Sequence, residues 1–112
     1  MKNNILHLTD QNFKEEVLNS NLPVMVDYWA SWCFPCRIVG PIIEELADEF
    51  SSKLRVGKLN VDENPQTAAS FGIMSIPTII IFKDGKQVKV MVGAQSKDYF
   101  KQQINQILEG KI

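Results

Sequence analysis

The sequence predicts a single α/β domain over residues 1–112, in which about four α-helices flank a central mixed β-sheet of about five strands. Apolar runs typical of strands alternate with helical segments, and the chain then ends in a hairpin and a last helix. A chain of 112 residues is long enough to bury one hydrophobic core. We therefore expect helices on both faces of the sheet, with right-handed crossovers between its parallel strands.

The first elements follow from local patterns. After an N-terminal strand, Asn12 followed by Glu15 resembles a capping box and predicts a short helix over residues 13–19. The almost unbroken apolar run 24–29 is typical of a strand that is buried on both faces of a parallel sheet.

A long amphipathic helix is predicted next, over residues 33–50, because apolar residues recur there with a helical period. Pro41 lies inside this pattern and removes one backbone donor, so we expect a kink near Gly40. A further strand is predicted over about residues 54–61.

The last elements are marked by caps and a turn. The Asn64-Pro65 pair predicts the N-cap and first residue of a short helix that ends near Gly72. Residues 78–82 and 88–92 flank an Asp-Gly turn and predict an antiparallel hairpin. Ser96 is then the predicted N-cap of the last helix.

Composition narrows the classes of function. The formal net charge is −1, and the basic residues form no stripe that could follow a phosphate backbone, so nucleic acid is not an expected partner. No stretch reaches the roughly 18 apolar residues of a membrane span, and the N-terminus has no secretory-signal pattern. We expect a cytoplasmic protein without a membrane partner, and a monomer.

The only two cysteines, Cys33 and Cys36, lie where the buried strand passes into the long helix. Free amide groups and the dipole at a helix N-terminus stabilise a thiolate, which lowers the thiol pKa. A structural disulfide over so short a loop would contribute only about 2 kcal/mol. A zinc site would need four ligands, and the sequence adds only His7 on a different segment, so no metal is expected. The spacing therefore favours a reversible dithiol.

Asp27 is the only charged residue between Pro23 and Ala30, in a segment whose other residues are typical of a buried core. A buried carboxylate is costly unless it is paired or protonated, and desolvation should raise its pKa towards neutrality. Such a group is suited to proton transfer. The alternative is an aspartate at the exposed edge of a strand.

Several blocks of the sequence follow one another in a fixed order: VDYWASWCFPCR at 26–37, KLNVD at 58–62, FGIMSIPT at 71–78 and VGA at 92–94, with Pro41 and Gly85. In these blocks and in their order the sequence resembles the thioredoxin family, and the resemblance covers essentially the whole chain. The resemblance implies the thioredoxin fold and a protein-disulfide reductase that carries electrons through the Cys33–Cys36 pair. It also implies that the protein needs no cofactor of its own.

The resemblance assigns the catalytic roles. Cys33, nearer the exposed helix tip, would attack a substrate disulfide, and Cys36 would resolve the mixed disulfide. Asp27 would lie behind Cys36 as its proton acceptor, modulated by Lys58, although Lys58 could equally be an ordinary solvated lysine.

The resemblance also implies a substrate surface. Pro77 is expected to be cis and to face the cysteines, which leaves the backbone of Ile76 free to pair with an extended substrate segment. An apolar docking surface should surround the redox pair, formed by Trp32, Phe34, Pro35, Met74, Ile76, Pro77, Val92, Gly93 and Ala94.

Phe34 departs from the family, which normally has glycine at this position. The implied partners are disulfide-containing proteins as substrates and thioredoxin reductase, an NADPH-dependent flavoprotein, as electron donor. Two alternatives stay open at this point: a disulfide oxidant or isomerase, which Phe34 could favour, and a binding subunit in which redox turnover is incidental.

Overall fold

The fold is built on one five-stranded sheet, seen in a computed structural model that describes residues 4–111. Its strands are β1 (Ile5–Leu8), β2 (Val24–Trp29), β3 (Arg55–Asn60), β4 (Thr78–Lys83) and β5 (Lys86–Val92). The α-helices are α1 (Phe34–Glu49), α2 (Pro65–Ser70) and α3 (Lys97–Leu108). A π-helical turn, Lys14–Leu18, lies between β1 and β2.

The sheet is mixed, as the sequence predicts. Its strand order is β1-β3-β2-β4-β5, with β3 parallel to both β1 and β2 and with β4 antiparallel to β2 and β5. The central strand β2 therefore has a neighbour on each side. Of the four predicted α-helices, three are α-helical and the first is the π-helical turn.

Two apolar clusters cover the two faces of the sheet. Alternation along β2 places Met25 in one cluster, with residues from α1 and α3, and Val26 and Tyr28 in the other. The second cluster also contains Phe13, which precedes the π-helical turn, and Val17 within that turn. Helices therefore pack on both faces, and β2 and β4 are buried almost throughout, as their apolar sequences predict.

Close packing within the sheet explains one glycine. Gly57 on β3 faces the buried side chain of Leu8 on β1, and a Cβ at Gly57 would lie 2.6 Å from Leu8 Cδ1. The absence of a side chain at this position therefore makes room for a core leucine.

The predicted capping box at Asn12 and Glu15 is wrong. The Asn12 side-chain oxygen accepts the Thr9 N–H at 2.7 Å, and the Thr9 hydroxyl oxygen accepts the Asn12 N–H at 3.1 Å. These bonds close a turn after β1 and engage the Asn12 side-chain oxygen. Only the backbone oxygen of Asn12 reaches the next turn, where it accepts the Glu16 N–H at 2.9 Å. The following segment begins at Lys14 without a side-chain cap and makes a single π-helical turn.

The cap of α2 also differs from the prediction. Pro65 is the first helical residue, as expected, but the Asn64 side chain accepts the Asp10 N–H instead of capping the helix. The Asp10 carboxylate accepts the backbone N–H groups of Gln66 and Thr67 at 3.2 and 2.8 Å. A residue far away in the sequence therefore supplies the capping oxygens that local pattern assigned to Asn64.

The C-terminal elements confirm the local signals. Asp84 and Gly85 have φ values of 54° and 78°, the positive values that a two-residue type I′ hairpin turn requires. The Ser96 hydroxyl oxygen accepts the Tyr99 N–H at 3.1 Å and caps α3.

α1 continues through Pro41 as a single helix.

Candidate active site

Cys33 and Cys36 lie at the edge of the sheet where the parallel strands β2 and β3 end, at the beginning of α1. Cys33 is the N-cap residue of α1, and the two cysteines form a disulfide with their Cα atoms 5.3 Å apart. The Cys36 N–H donates to Cys33 Sγ at 3.3 Å. This amide and the helix dipole are the groups that would stabilise a thiolate on Cys33 after reduction.

The two sulfurs differ in their neighbours more than in their burial. Cys33 is 4% exposed and Cys36 is 5% exposed. The sequence led us to expect a more exposed Cys33, but in the disulfide form the two residues are almost equally buried. Cys33 Sγ lies 3.8 Å from the Ile76 carbonyl oxygen. Cys36 instead lines a cavity of about 410 Å³ that Asp27 also lines.

Asp27 is a buried carboxylate in the middle of the sheet. It pairs in register with Lys58 on β3 and with Ile79 on β4, and only 1% of it is exposed. Within residues 4–111 its Oδ1 atom has no hydrogen-bond partner. Burial raises the pKa of Asp27 to about 7, and the Lys58 charge limits the rise. The alternative of an exposed edge position is therefore wrong.

Lys58 lines the same cavity, but its ammonium group makes its ion pair with Glu44. Its Nζ donates to Glu44 Oε2 of α1 at 2.9 Å, and the side chain is only 19% exposed. Lys58 is therefore a partly buried, ion-paired lysine and not an ordinary solvated one.

An apolar groove of about 360 Å³ includes Ile76, whose carbonyl oxygen lies 3.8 Å from Cys33 Sγ. Trp32, Met74 and Ile76 line it, as the predicted docking surface requires, and Met74 is 94% exposed. The Trp32 indole N–H donates to Asp62 Oδ2 at 2.8 Å. The groove therefore brings together three of the predicted docking residues from two separate loops.

The other predicted docking residues lie outside the lining of this groove. The Ile76–Pro77 peptide bond is cis, as the family resemblance implies. The Gly93 N–H donates to the Pro77 carbonyl oxygen at 2.8 Å, which holds the half-buried Gly93 beside Pro77 between the exposed Val92 and Ala94. Phe34 and Pro35 are exposed on the first turn of α1 and lie outside the groove lining.

The chain can be compared with known proteins over most of its length. The thioredoxin family model matches residues 4–106. The chain is 47% identical over 104 residues to thioredoxin of Pyropia yezoensis, with 93% of this chain and 97% of the relative covered. It is 50% identical over 101 residues to thioredoxin 1 of Nostoc sp., with 90% and 94% covered. The chain belongs to the thioredoxin family.

Family membership and the disulfide at the beginning of α1 establish the chemistry. As a thioredoxin-family member, the protein is a thiol-disulfide oxidoreductase and protein-disulfide reductase whose redox-active pair is Cys33 and Cys36. The family relationship also implies disulfide substrates and a reductase partner.

Three residues at this site were not predicted from the sequence. Glu44 holds Lys58, Asp62 holds the Trp32 indole, and Val61 lines the apolar groove. Val61 and Asp62 directly follow β3, so they lie at the same sheet edge as the cysteines. Glu44 is eight residues after Cys36, two helical turns along the same face of α1. Both placements were available from the sequence.

Two further observations concern ligands and membranes. Within residues 4–111 no three or more His, Cys, Asp or Glu side chains cluster in a way that could hold a metal ion. None of the helices in the described part of this thioredoxin-family chain is long and apolar enough to cross a membrane.

Proposed function

We propose that residues 1–112 form one monomeric thioredoxin domain, a cytoplasmic reductase that receives its electrons from an NADPH-dependent flavoprotein, thioredoxin reductase. The observation that carries this proposal is the Cys33–Cys36 disulfide at the N-terminus of α1, beside an apolar groove. Residues 1–112 have no glycine-rich nucleotide motif, so the electrons have to come from outside this domain. A reducing compartment supplies the NADPH for this reaction and keeps thiols reduced.

The first step is attack by Cys33. Its thiolate attacks one sulfur of the substrate disulfide, a mixed disulfide forms, and the other substrate sulfur leaves as a thiolate. The Cys36 N–H at 3.3 Å from Cys33 Sγ and the positive end of the α1 dipole favour ionisation of Cys33.

The second step is resolution by Cys36. Its thiol loses a proton to Asp27, and the resulting thiolate attacks Cys33 Sγ of the mixed disulfide. The substrate leaves with two electrons, and the Cys33–Cys36 disulfide forms. The raised pKa of Asp27, about 7, suits a group that has to accept and release a proton near neutral pH. Lys58, its neighbour in register, modulates this proton affinity.

Substrate binding uses the surface around Cys33. An extended segment of a protein substrate pairs with the backbone of Ile76, next to the cis Pro77, in the manner of an added strand. The exposed apolar side chains of Trp32, Met74 and Val92 contact the segment without selecting one sequence. Phe34, which is 68% exposed beside Cys33, adds contact area outside the groove lining.

Turnover of insulin disulfides tests the proposal. With NADPH and thioredoxin reductase, the protein should reduce insulin over many cycles, and it should be inactive when the reductase is omitted. The Cys36→Ser variant should accumulate as a mixed disulfide with insulin. NADPH consumption that does not depend on this protein would overturn the reductase pairing, and a reduction potential above that of glutathione would indicate an oxidant or isomerase.

A further inference from the structure

Lys58 and Asp27 are opposite charges that pair in register on adjacent parallel strands, yet the lysine makes its hydrogen bond elsewhere. Residues in register on neighbouring strands project to the same face of a sheet, so both side chains face the cavity under α1. Lys58 Nζ donates to Glu44 Oε2 at 2.9 Å. Asp27 Oδ1, within the described residues, has no hydrogen-bond partner.

The surface of α1 explains where the ammonium group goes. Cys36, Gly40 and Glu44 are spaced four residues apart, so they form one stripe along the helix, and all three line the cavity. Lys58 Nζ lies 3.5 Å from the position that a Cβ would take on Gly40. The lysine therefore crosses α1 at the glycine and ends at Glu44, one helical turn further from Cys36.

We propose that Glu44 is a positioning residue for the resolving step. Its ion pair holds the Lys58 ammonium over Gly40 and so keeps Asp27 without a direct cation partner. Asp27 therefore keeps a high affinity for the proton that it takes from Cys36. This inference rests on the proposed role of Asp27, and it adds a residue that determines how strongly that carboxylate binds a proton.

The electrostatic effect of Glu44 has one direction. The charged or titratable groups that line the Asp27 cavity are Lys58 from β3 and Cys36, Arg37 and Glu44 from α1, whereas the β4 neighbour, Ile79, is uncharged. Arg37 directs one guanidinium N–H to the Ser31 carbonyl oxygen at 3.0 Å. Loss of the Glu44 charge removes a nearby anion and also frees Lys58 to approach Asp27. Both changes favour the ionised carboxylate and lower the pKa of Asp27.

Titration of Asp27 in Glu44→Gln tests the geometry directly. In the disulfide form, the side-chain carboxyl ¹³C signal of Asp27 should titrate about half a pH unit lower in this variant than in the wild type. Glu44→Asp keeps the charge and should restore most of the wild-type midpoint. Because Glu44 is half exposed, the difference should shrink in 1 M salt.

The matched control is Glu45→Gln. Glu45 is the next residue along α1 and pairs with Lys97 at 3.1 Å, away from the cavity. This variant loses the same charge from the same helix and should leave the midpoint of Asp27 unchanged. An equal shift in both variants, or no shift in Glu44→Gln, would overturn the positioning role of Glu44.

Resolution kinetics link this geometry to the reaction. Below pH 7 the ionised fraction of Asp27 should be up to about threefold larger in Glu44→Gln, so the mixed disulfide should be resolved faster by up to that factor. Above pH 8 the variant should be no faster than the wild type, because Asp27 is ionised in both and is the weaker base in the variant.

The two measurements separate the possible failures. A lower Asp27 midpoint without any change in resolution rate would overturn the role of Asp27 and the kinetic inference together. An unchanged midpoint would overturn the inference about Glu44 alone, provided that Asp27→Asn still slows resolution.

Discussion

Replacement of Asp27 by asparagine should stabilise the protein by an amount that grows with pH. The folded carboxyl group has a pKa of about 7 against an ordinary value of 3.8, because burial disfavours its charged form. The native state therefore binds more protons than the unfolded state between these values. The contribution of Asp27 to stability is complete below about pH 4 and is lost as pH rises towards 7. The shift corresponds to about 4 kcal/mol of destabilisation by the ionised group.

Urea unfolding of the disulfide form between pH 4.5 and 8.5 measures this effect. The stability difference between Asp27→Asn and the wild type should grow by about 3 kcal/mol and level off above pH 7.5, which is a shift of about 2 M in midpoint if m is about 1.5 kcal/mol per M. Asp48→Asn, at an exposed position on α1, is the control for loss of a carboxylate that is not buried in the sheet. A difference between Asp27→Asn and wild type that is constant across this range would refute the reasoning, since it would mean that Asp27 has the same proton affinity in both states.

Four further predictions concern the redox pair, the docking surface and the packing. In the reduced protein at pH 7, iodoacetamide should label Cys33 well before Cys36, and faster labelling of Cys36 in a peptide map would reverse their roles. Phe34→Gly should raise KM for protein disulfides severalfold and leave oxidised glutathione almost unaffected; an equal change for both substrates would remove Phe34 from docking. Gly57→Ala should destabilise the protein by about 1 to 3 kcal/mol, because the added methyl group meets a core leucine of β1. Gly40→Ala, whose Cβ would be in ordinary contact at 3.5 Å, should instead raise stability by up to about 1 kcal/mol in the same urea assay.

Local sequence patterns were enough to predict those elements that depend on residues close to one another in the sequence. The apolar run of β2 predicted a strand buried on both faces, and the Asp-Gly pair predicted the turn between β4 and β5. Ser96 predicted the beginning of α3. The position of the cysteines at a helix N-terminus also followed from the sequence, because that helix and the strand before it have strong periodic signals.

Only the tertiary structure decided the contacts between distant segments. The Asp10 carboxylate caps α2 in place of Asn64, and Glu44 takes the Lys58 ammonium that strand register places beside Asp27. Such polar groups have several possible partners of similar chemistry, and the sequence alone does not indicate which partner each group bonds to. Strand order and register bring particular partners within 3 Å and leave others apart, so the choice among them is made by packing and not by local pattern.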